Sequence, residues 1–389
     1  MNGINLVQDT ITTNELHDLA EWIKGNPRLT KGPLTKQFEN EWSSWQGVDS
    51  SIFVNSGSSA NLLMAAALKY GKKLRNNVIV APAVSWGTTV APFMQLGFEV
   101  ELCDCELDTL GVDPVNLEKL FVEKNPSAMI IVHVLGVPNK MKEITDLCKK
   151  YDVILLEDCC EAHGAEYTGK KVGTFGEMST FSYYYGHHMS TIEGGMVSFN
   201  SSEYFELCLM LRSHGWVRDL SEQRQNEIVA EHSISDFDAM YFFLHPGFNI
   251  RSTDLNAFLG LSQLKSLNQK VNTRNVIWNR YAEKLDNIVS YQRPEKSMFV
   301  SPLAFGIISE SRREIVSALT EKNIECRPLI CGSIHRHPFW KKGGKYPNAE
   351  KVHDSGLYVP VHHNMNSSHV DIVADTICSA MRLKHHSNF

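Results

Sequence analysis

The chain has 389 residues, 43% of them hydrophobic and 21% charged, with a formal net charge of −6 at pH 7. That length buries a large core and leaves room for two or three structural units, while the acidic balance argues against nucleic acid or a polybasic membrane contact. No apolar run reaches bilayer-spanning length and the first residues lack a signal-peptide pattern, while nine scattered cysteines fit free thiols, so a cytoplasmic protein is expected.

Thr13–Lys24 has helical spacing behind a capping residue and stops before Gly25-Asn26-Pro27. Arg28 to Pro33 reads as a loop and Leu34–Trp42 as a second helix. Strands and helices then alternate. Short apolar runs at Ser51–Val54, Val78–Ala81, Phe98–Leu102, Ala128–Val132 and Val153–Leu156 predict strands, with helices over Ala60–Tyr70, Thr88–Leu96, Pro114–Lys124 and Met141–Tyr151 between them. Such alternation predicts an α/β fold, a mostly parallel sheet with helices on both faces, which Ser179–Tyr184 and Met196–Phe199 extend. Glu203–Ser213 reads as a helix, and Gly215–Phe237 as a long polar loop of the kind that carries function. A long helix runs from Leu255 toward Leu285. Ser301–Ile308, Glu310–Lys322, Ile324–Leu329 and Ser368–Leu383 predict a smaller α+β unit. The expected division is a large α/β domain over 1–250 and a small C-terminal α+β domain over 251–389.

Three stretches carry chemistry. Asn55-Ser56-Gly57-Ser58-Ser59-Ala60-Asn61 joins a predicted strand to a predicted helix. Free N–H groups, small residues and hydroxyls at a helix start suit a phosphate, although an ordinary capped Ser/Gly turn reads the same way. Asp158 follows Val153–Leu156, at a carboxyl strand end where α/β proteins place ligands; alone, a solvated loop acid fits as well. Phe181 to Gly195 begins as the aromatic run of a buried strand and meets Gly186, His187 and His188 before Glu193-Gly194-Gly195 closes it as a tight turn. Adjacent histidines are often structural, yet an imidazole of ordinary pKa ~6.5 also serves as general acid and base.

In this order and at these separations the three stretches resemble the DegT-type sugar aminotransferase family, vitamin B6 enzymes of fold type I. The resemblance covers nearly the whole chain and is most specific from Phe181 to Arg218. It implies pyridoxal 5'-phosphate, with its amine form pyridoxamine 5'-phosphate, as cofactor. Gly57, Ser58 and Ser182 are then at the cofactor phosphate, Trp86 stacks on the ring, and Asp158 keeps the ring nitrogen protonated. Glu161 stands near the ring hydroxyl, where Gln is usual. Phe248-Asn249-Ile250-Arg251 is similar to the family's Tyr-Asn-x-Arg, whose asparagine reaches the neighbouring subunit's phosphate. Asn249 thus implies a homodimer with shared active sites. The family's cofactor-linking lysine lies six residues before its Glu-Gly-Gly; here that residue is His187.

Within the family, a His-His pair at that position is typical of ketosugar 3-dehydratases, and His214-Gly215-Trp216-Val217-Arg218 strengthens the likeness. The implied activity removes the C-3 hydroxyl of a nucleotide-linked 4-keto-6-deoxy sugar, GDP-4-keto-6-deoxy-D-mannose foremost. Glutamate is the implied amino donor, ammonia is released, and the setting is deoxysugar (colitose) and lipopolysaccharide O-antigen biosynthesis. His187 is the implied acid–base residue, with His214, Arg218 and Arg327 meeting the substrate. Two alternatives stay open. One is a nucleotide-sugar aminotransferase using another lysine, Lys170 or Lys171 being nearest; the other is a catalytically silent regulatory or scaffold relative. No metal is expected: His335, His337, His362 and His363 lack partners at metal spacing. Ser213–Gly247 holds no cysteine for the iron–sulfur cluster that a related CDP-ketosugar 3-dehydratase uses.

Overall fold

The alternating apolar runs form one seven-stranded sheet in the computed structural model, which describes residues 3–71 and 73–386. In chain order the strands are β1 (Ser50–Val54), β2 (Val78–Pro82), β3 (Glu99–Cys103), β4 (Ala128–Val132) and β5 (Ile154–Asp158). A short hairpin follows, β6 (Glu166–Tyr167) and β7 (Lys170–Lys171), and then β8 (Met178–Ser182) and β9 (Gly195–Phe199) complete the sheet. The spatial order is β1-β9-β8-β5-β4-β2-β3, and only β9 runs against the others.

Strand residues alternate between two cores. Ile79, Ile130 and Leu156 pack with Leu63 and Met64 of the helix Gly57–Tyr70 on one face. Val80, Met129, Ile131 and Leu155 pack with Leu117, Phe121 and Ile144 of the helices Pro114–Lys124 and Met141–Tyr151 on the other. Both faces are therefore dry, and the central strands read as unbroken apolar runs. Because the parallel strands share a direction, Val54, Pro82, Val132, Asp158 and Ser182 all end at one edge. Gly195 opens β9 opposite Val54 and Ser182 at that same edge. A Cβ there would lie 2.2 Å from the Ser56 carbonyl oxygen and 2.6 Å from the Gly57 nitrogen, so the position requires glycine.

The 32-residue helix Asp254–Leu285, capped by the Thr253 hydroxyl accepting from Asn256 N–H, leads to a second sheet. Its strands are β10 (Ser290–Tyr291), β12 (Ala304–Ile308), β13 (Arg327–Pro328) and β14 (Gly356–Pro360), antiparallel in the order β10-β12-β14-β13, while β11 (Met298–Phe299) pairs with β6. Phe305, Ile307, Leu357 and Val359 pack there against the helices Arg312–Glu321 and Ser367–His386. Among the described residues no helix is long and apolar enough to cross a membrane.

Two expectations are corrected. The segment Gly215–Phe237 is not all loop: Glu222–Glu231 is a helix capped by Ser221, and only Ile228 of it is buried, so it carries no apolar periodicity. The aromatic run does not stay buried. Strand β8 ends at Ser182, Tyr183 N–H pairs with the Gly194 carbonyl, and Tyr184 and Tyr185 are 52% and 43% exposed because they turn out to line a cavity.

Candidate active site

The carboxyl edge of the parallel strands opens onto a cavity of about 410 Å³, a size typical of small-molecule sites. Gly57, Ser58, Trp86, Asp158, Glu161, Ser182 and His187 all line it. Two helix starts meet there, Gly57–Tyr70 and Gly87–Gln95. Ser56 Oγ accepts from Ser59 N–H at 3.0 Å, and Ser58 Oγ lies 2.8 Å from Thr88 Oγ1, tying the two starts together. Unpaired N–H groups and the positive ends of two helix dipoles make this corner a cradle for an anion. A Cβ on Gly57 would press to 2.6 Å from Ser182 Cβ, so the cradle is already tight.

Asp158 is buried and met by three donors. Asn61 Nδ2 (2.9 Å) and Thr89 Oγ1 (2.7 Å) donate to one oxygen, and the Cys160 N–H (3.1 Å) to the other. Thr180 Oγ1 donates to Asn61 Oδ1 at 2.6 Å and so aims the amide. Asn61 closes the Asn55–Asn61 stretch and Thr89 lies at the start of the predicted helix Thr88–Leu96, but nothing local signals that they hold Asp158.

Glu161 takes the Leu135 N–H at 2.7 Å. Burial, against that bond and with the Asp158 charge, pushes its pKa up to about 8. It therefore keeps its proton at neutral pH. A protonated carboxyl offers one donor and one acceptor, as the amide of Gln does, which is a physical reason for Glu to stand where Gln is usual.

His187 follows the glycine turn with its Nδ1 buried and unpartnered while the ring borders the cavity. Burial first, then the Arg274 guanidinium, lowers its pKa to about 4, with the Cys160 carbonyl opposing them. His188 is turned away: its Nε2 meets the Ser301 carbonyl at 3.1 Å, and its ring lies 5.1 Å from His163. No lysine is among the residues lining the cavity. Lys170 and Lys171 lie on the β7 hairpin, their ammonium groups 4.6 Å over Phe175 and 3.9 Å over Trp45.

Four predicted residues stand outside the cavity of their own chain. Asn249 bridges Ser213, beside the Ile250 carbonyl that accepts from Asn55 N–H. His214 has a left-handed backbone (φ +67°) and donates its N–H to the Phe248 carbonyl. Arg218 lies 4.9 Å over Trp216 and borders a separate groove with Arg28, Lys31 and Arg251. Arg327 is exposed on β13, opposite Tyr358, which does line the cavity. Sequence reasoning missed Tyr184, Tyr185, Tyr358 and the apolar pair Leu6 and Val7 as cavity walls.

One buried trio, His133, Glu157 and Cys159, has metal-like spacing. The Glu157 oxygens and both His133 ring nitrogens are already engaged. Glu157 accepts the N–H groups of Gly173, Phe175 and Gly176 and lies 3.2 Å from His133 Nε2, while His133 Nδ1 accepts the Asn139 N–H. His133 and Glu157 thus belong to a hydrogen-bonded network with the backbone.

The sequence model of the DegT/DnrJ/EryC1/StrS aminotransferase family matches residues 9–378. The chain is 35% identical to a GDP-4-keto-6-deoxy-D-mannose 3-dehydratase of Yersinia pseudotuberculosis, over 93% of this chain and 95% of that one. It is 31% identical to a dTDP-4-dehydro-2,6-dideoxy-D-glucose 3-dehydratase of Saccharopolyspora spinosa, over 90% and 80%. A solved structure of a GDP-4-keto-6-deoxymannose-3-dehydratase with a trapped PLP–glutamate geminal diamine superposes with a TM-score of 0.88 at 30% identity, covering 96% of this chain and all of that one.

Proposed function

The chain belongs to the DegT/DnrJ/EryC1/StrS aminotransferase family, and from that premise we propose that it is a 3-dehydratase of a nucleotide-linked 4-keto-6-deoxy sugar, GDP-4-keto-6-deoxy-D-mannose first. Its cofactor is pyridoxal phosphate and its amino donor glutamate; the setting is deoxysugar and O-antigen assembly. One observation carries the reading: a cavity with an anion cradle, a carboxylate held by three donors and an imidazole, and no lysine among its lining residues. The likeness to two ketosugar 3-dehydratases, and to one solved with cofactor and glutamate, supports it.

The residues fit the cofactor. The helix-start N–H groups, Ser58 and Ser182 would hold its phosphate, and the buried Asp158 carboxylate would accept from a protonated ring nitrogen. The Trp86 indole, 57% exposed, offers a flat apolar face to the ring. When bound, the amine form of the cofactor supplies the electron sink that makes a C–H bond acidic and the C-3 hydroxyl expellable. His187, neutral above a pKa of about 4, takes the proton on its cavity-facing nitrogen. The same nitrogen then returns a proton to the departing C-3 oxygen. Glu161 keeps its own proton for the ring hydroxyl. An imidazole cannot form the covalent link that a lysine makes, so His187 leaves the cofactor free to exchange.

The deciding experiment supplies 4-keto-6-deoxy sugars linked to GDP, CDP or dTDP, with glutamate and pyridoxal phosphate. The reading predicts a 3-deoxy ketosugar and one ammonia per turnover, fastest with the GDP sugar. An amino sugar without ammonia identifies a lysine-type aminotransferase; no turnover of any substrate identifies a silent relative.

A further inference from the structure

Arg274 is fully buried midway along the helix Asp254–Leu285. Its hydrogen-bond partners among the described residues are all carbonyl oxygens. Nη1 donates to Pro302 (3.2 Å), Leu303 (3.1 Å) and Val361 (2.6 Å), Nη2 donates to His187 (3.2 Å), and Nε meets none. A guanidinium removed from water without an acid is unfavourable, and it is tolerated where its fork or its charge has a task.

The carbonyls belong to three segments that meet at the cavity. His187 lies on the loop after β8, Pro302 and Leu303 lead into β12, and Val361 follows β14. Leu303, Ala304 and Tyr358 from the last two line the cavity together with His187. One side chain thus fastens the His187 loop to the second sheet. The groups beside the His187 ring are His163 at 6.1 Å between centroids, His188, the Cys160 carbonyl and Arg274. The cavity lining also carries the carboxyls of Asp158, Glu161 and Glu193 and the phenols of Tyr184, Tyr185 and Tyr358. Burial, with Arg274 next, holds His187, His188, His362 and His363 below the usual histidine range; for His163, His187 comes between them.

Resting on the assignment of His187 as the acid–base group, we propose that Arg274 is its positioning residue: its fork clamps the His187 carbonyl to the second sheet, and its guanidinium, 3.2 Å from that carbonyl with only carbonyl partners among the described residues, adds to burial in disfavouring a second positive charge on the ring.

Two variants of the full-length, cofactor-loaded enzyme separate the two roles. Arg274→Gln keeps N–H donors and loses the charge; Arg274→Lys keeps the charge and loses the fork. The readouts are the acid limb of kcat/KM for dehydration and the titration of the His187 ring by NMR of histidine-labelled protein, assigned through His187→Asn. In Arg274→Gln both should move up by about one pH unit or more, toward the ordinary histidine value. In Arg274→Lys both should stay in place while kcat falls about tenfold from the loosened clamp. An unmoved limb and ring titration in Arg274→Gln overturn the proposal. If Arg274→Gln does not fold, Arg274→Lys decides: an unmoved limb with reduced kcat supports the proposal, and a limb displaced by about a unit overturns it. Should His187→Asn dehydrate normally, the assignment of His187 fails instead, and the ring titration still reports whether Arg274 tunes it.

Discussion

Glu161 is largely removed from water, takes one N–H from Leu135 and feels the Asp158 charge, which together raise its pKa from 4.5 to about 8. A folded pKa above the unfolded one means that stability is fully present below 4.5 and is lost as pH rises through about 8. Glu161→Gln carries no such penalty. The melting temperature of the cofactor-free variant should exceed wild type most at pH 8 and above, by roughly 2 kcal/mol in stability, with the margin closing in acid. A margin independent of pH would contradict the protonated state. Asp158→Asn must turn an amide N–H2 toward donors it cannot pair with, at about 1–3 kcal/mol, read by urea unfolding. Its turnover should fall roughly a hundredfold or more, because a neutral amide cannot keep a ring nitrogen protonated; near-normal turnover sinks the role. Asp158 and His187 were legible as cavity residues through the family resemblance of the stretches that hold them. Asn61, Thr89 and Arg274 were not, since their contacts to the site cross 97, 69 and 87 residues and leave no local mark.

At the scale of elements, alternating strand and helix patterns forecast the seven-stranded sheet because helices cover both of its faces and strands such as β2 and β4 are apolar along their length. The helix Glu222–Glu231 escaped because a polar surface helix has no periodicity to read, and the run Tyr183-Tyr184-Tyr185 misled because aromatic side chains serve cavity walls as well as cores. The anion cradle depends on close approach between β9 and the turn at Ser56. Gly195→Ala drives a methyl into backbone that cannot step aside, which should cost about 2–4 kcal/mol in thermal unfolding. It should also weaken pyridoxal phosphate binding more than about tenfold, followed by absorbance titration. Unchanged affinity would show that the phosphate lies elsewhere.

For the whole molecule, the proposed state is a homodimer. Phe237, Met240, Tyr241 and Phe243 are 77%, 50%, 71% and 48% exposed within one short segment, an apolar surface that asks for cover. Asn249 lies outside its own chain's cavity, as a residue serving a neighbour would. Sedimentation should give twice the chain mass of 43.9 kDa. Mixing His187→Asn with Asn249→Ala chains should restore about a quarter of wild-type activity, since half the dimers are hybrids with one intact site each. A fully active monomer, or no complementation, would rule out shared sites. Assembly was legible only through the Phe248-Asn249-Ile250-Arg251 resemblance, because one chain's sequence carries no pattern for its partner.

The proposed chemistry depends on His187 standing where a lysine would link the cofactor, and borohydride reduction followed by intact-mass spectrometry is the direct test of that replacement. The wild-type chain, loaded with about one pyridoxal phosphate, reduced and freed of unbound cofactor, should keep its unmodified mass, while His187→Lys should gain one cofactor. A wild-type chain that carries the added mass would contradict the account and return the protein to the lysine-dependent aminotransferases.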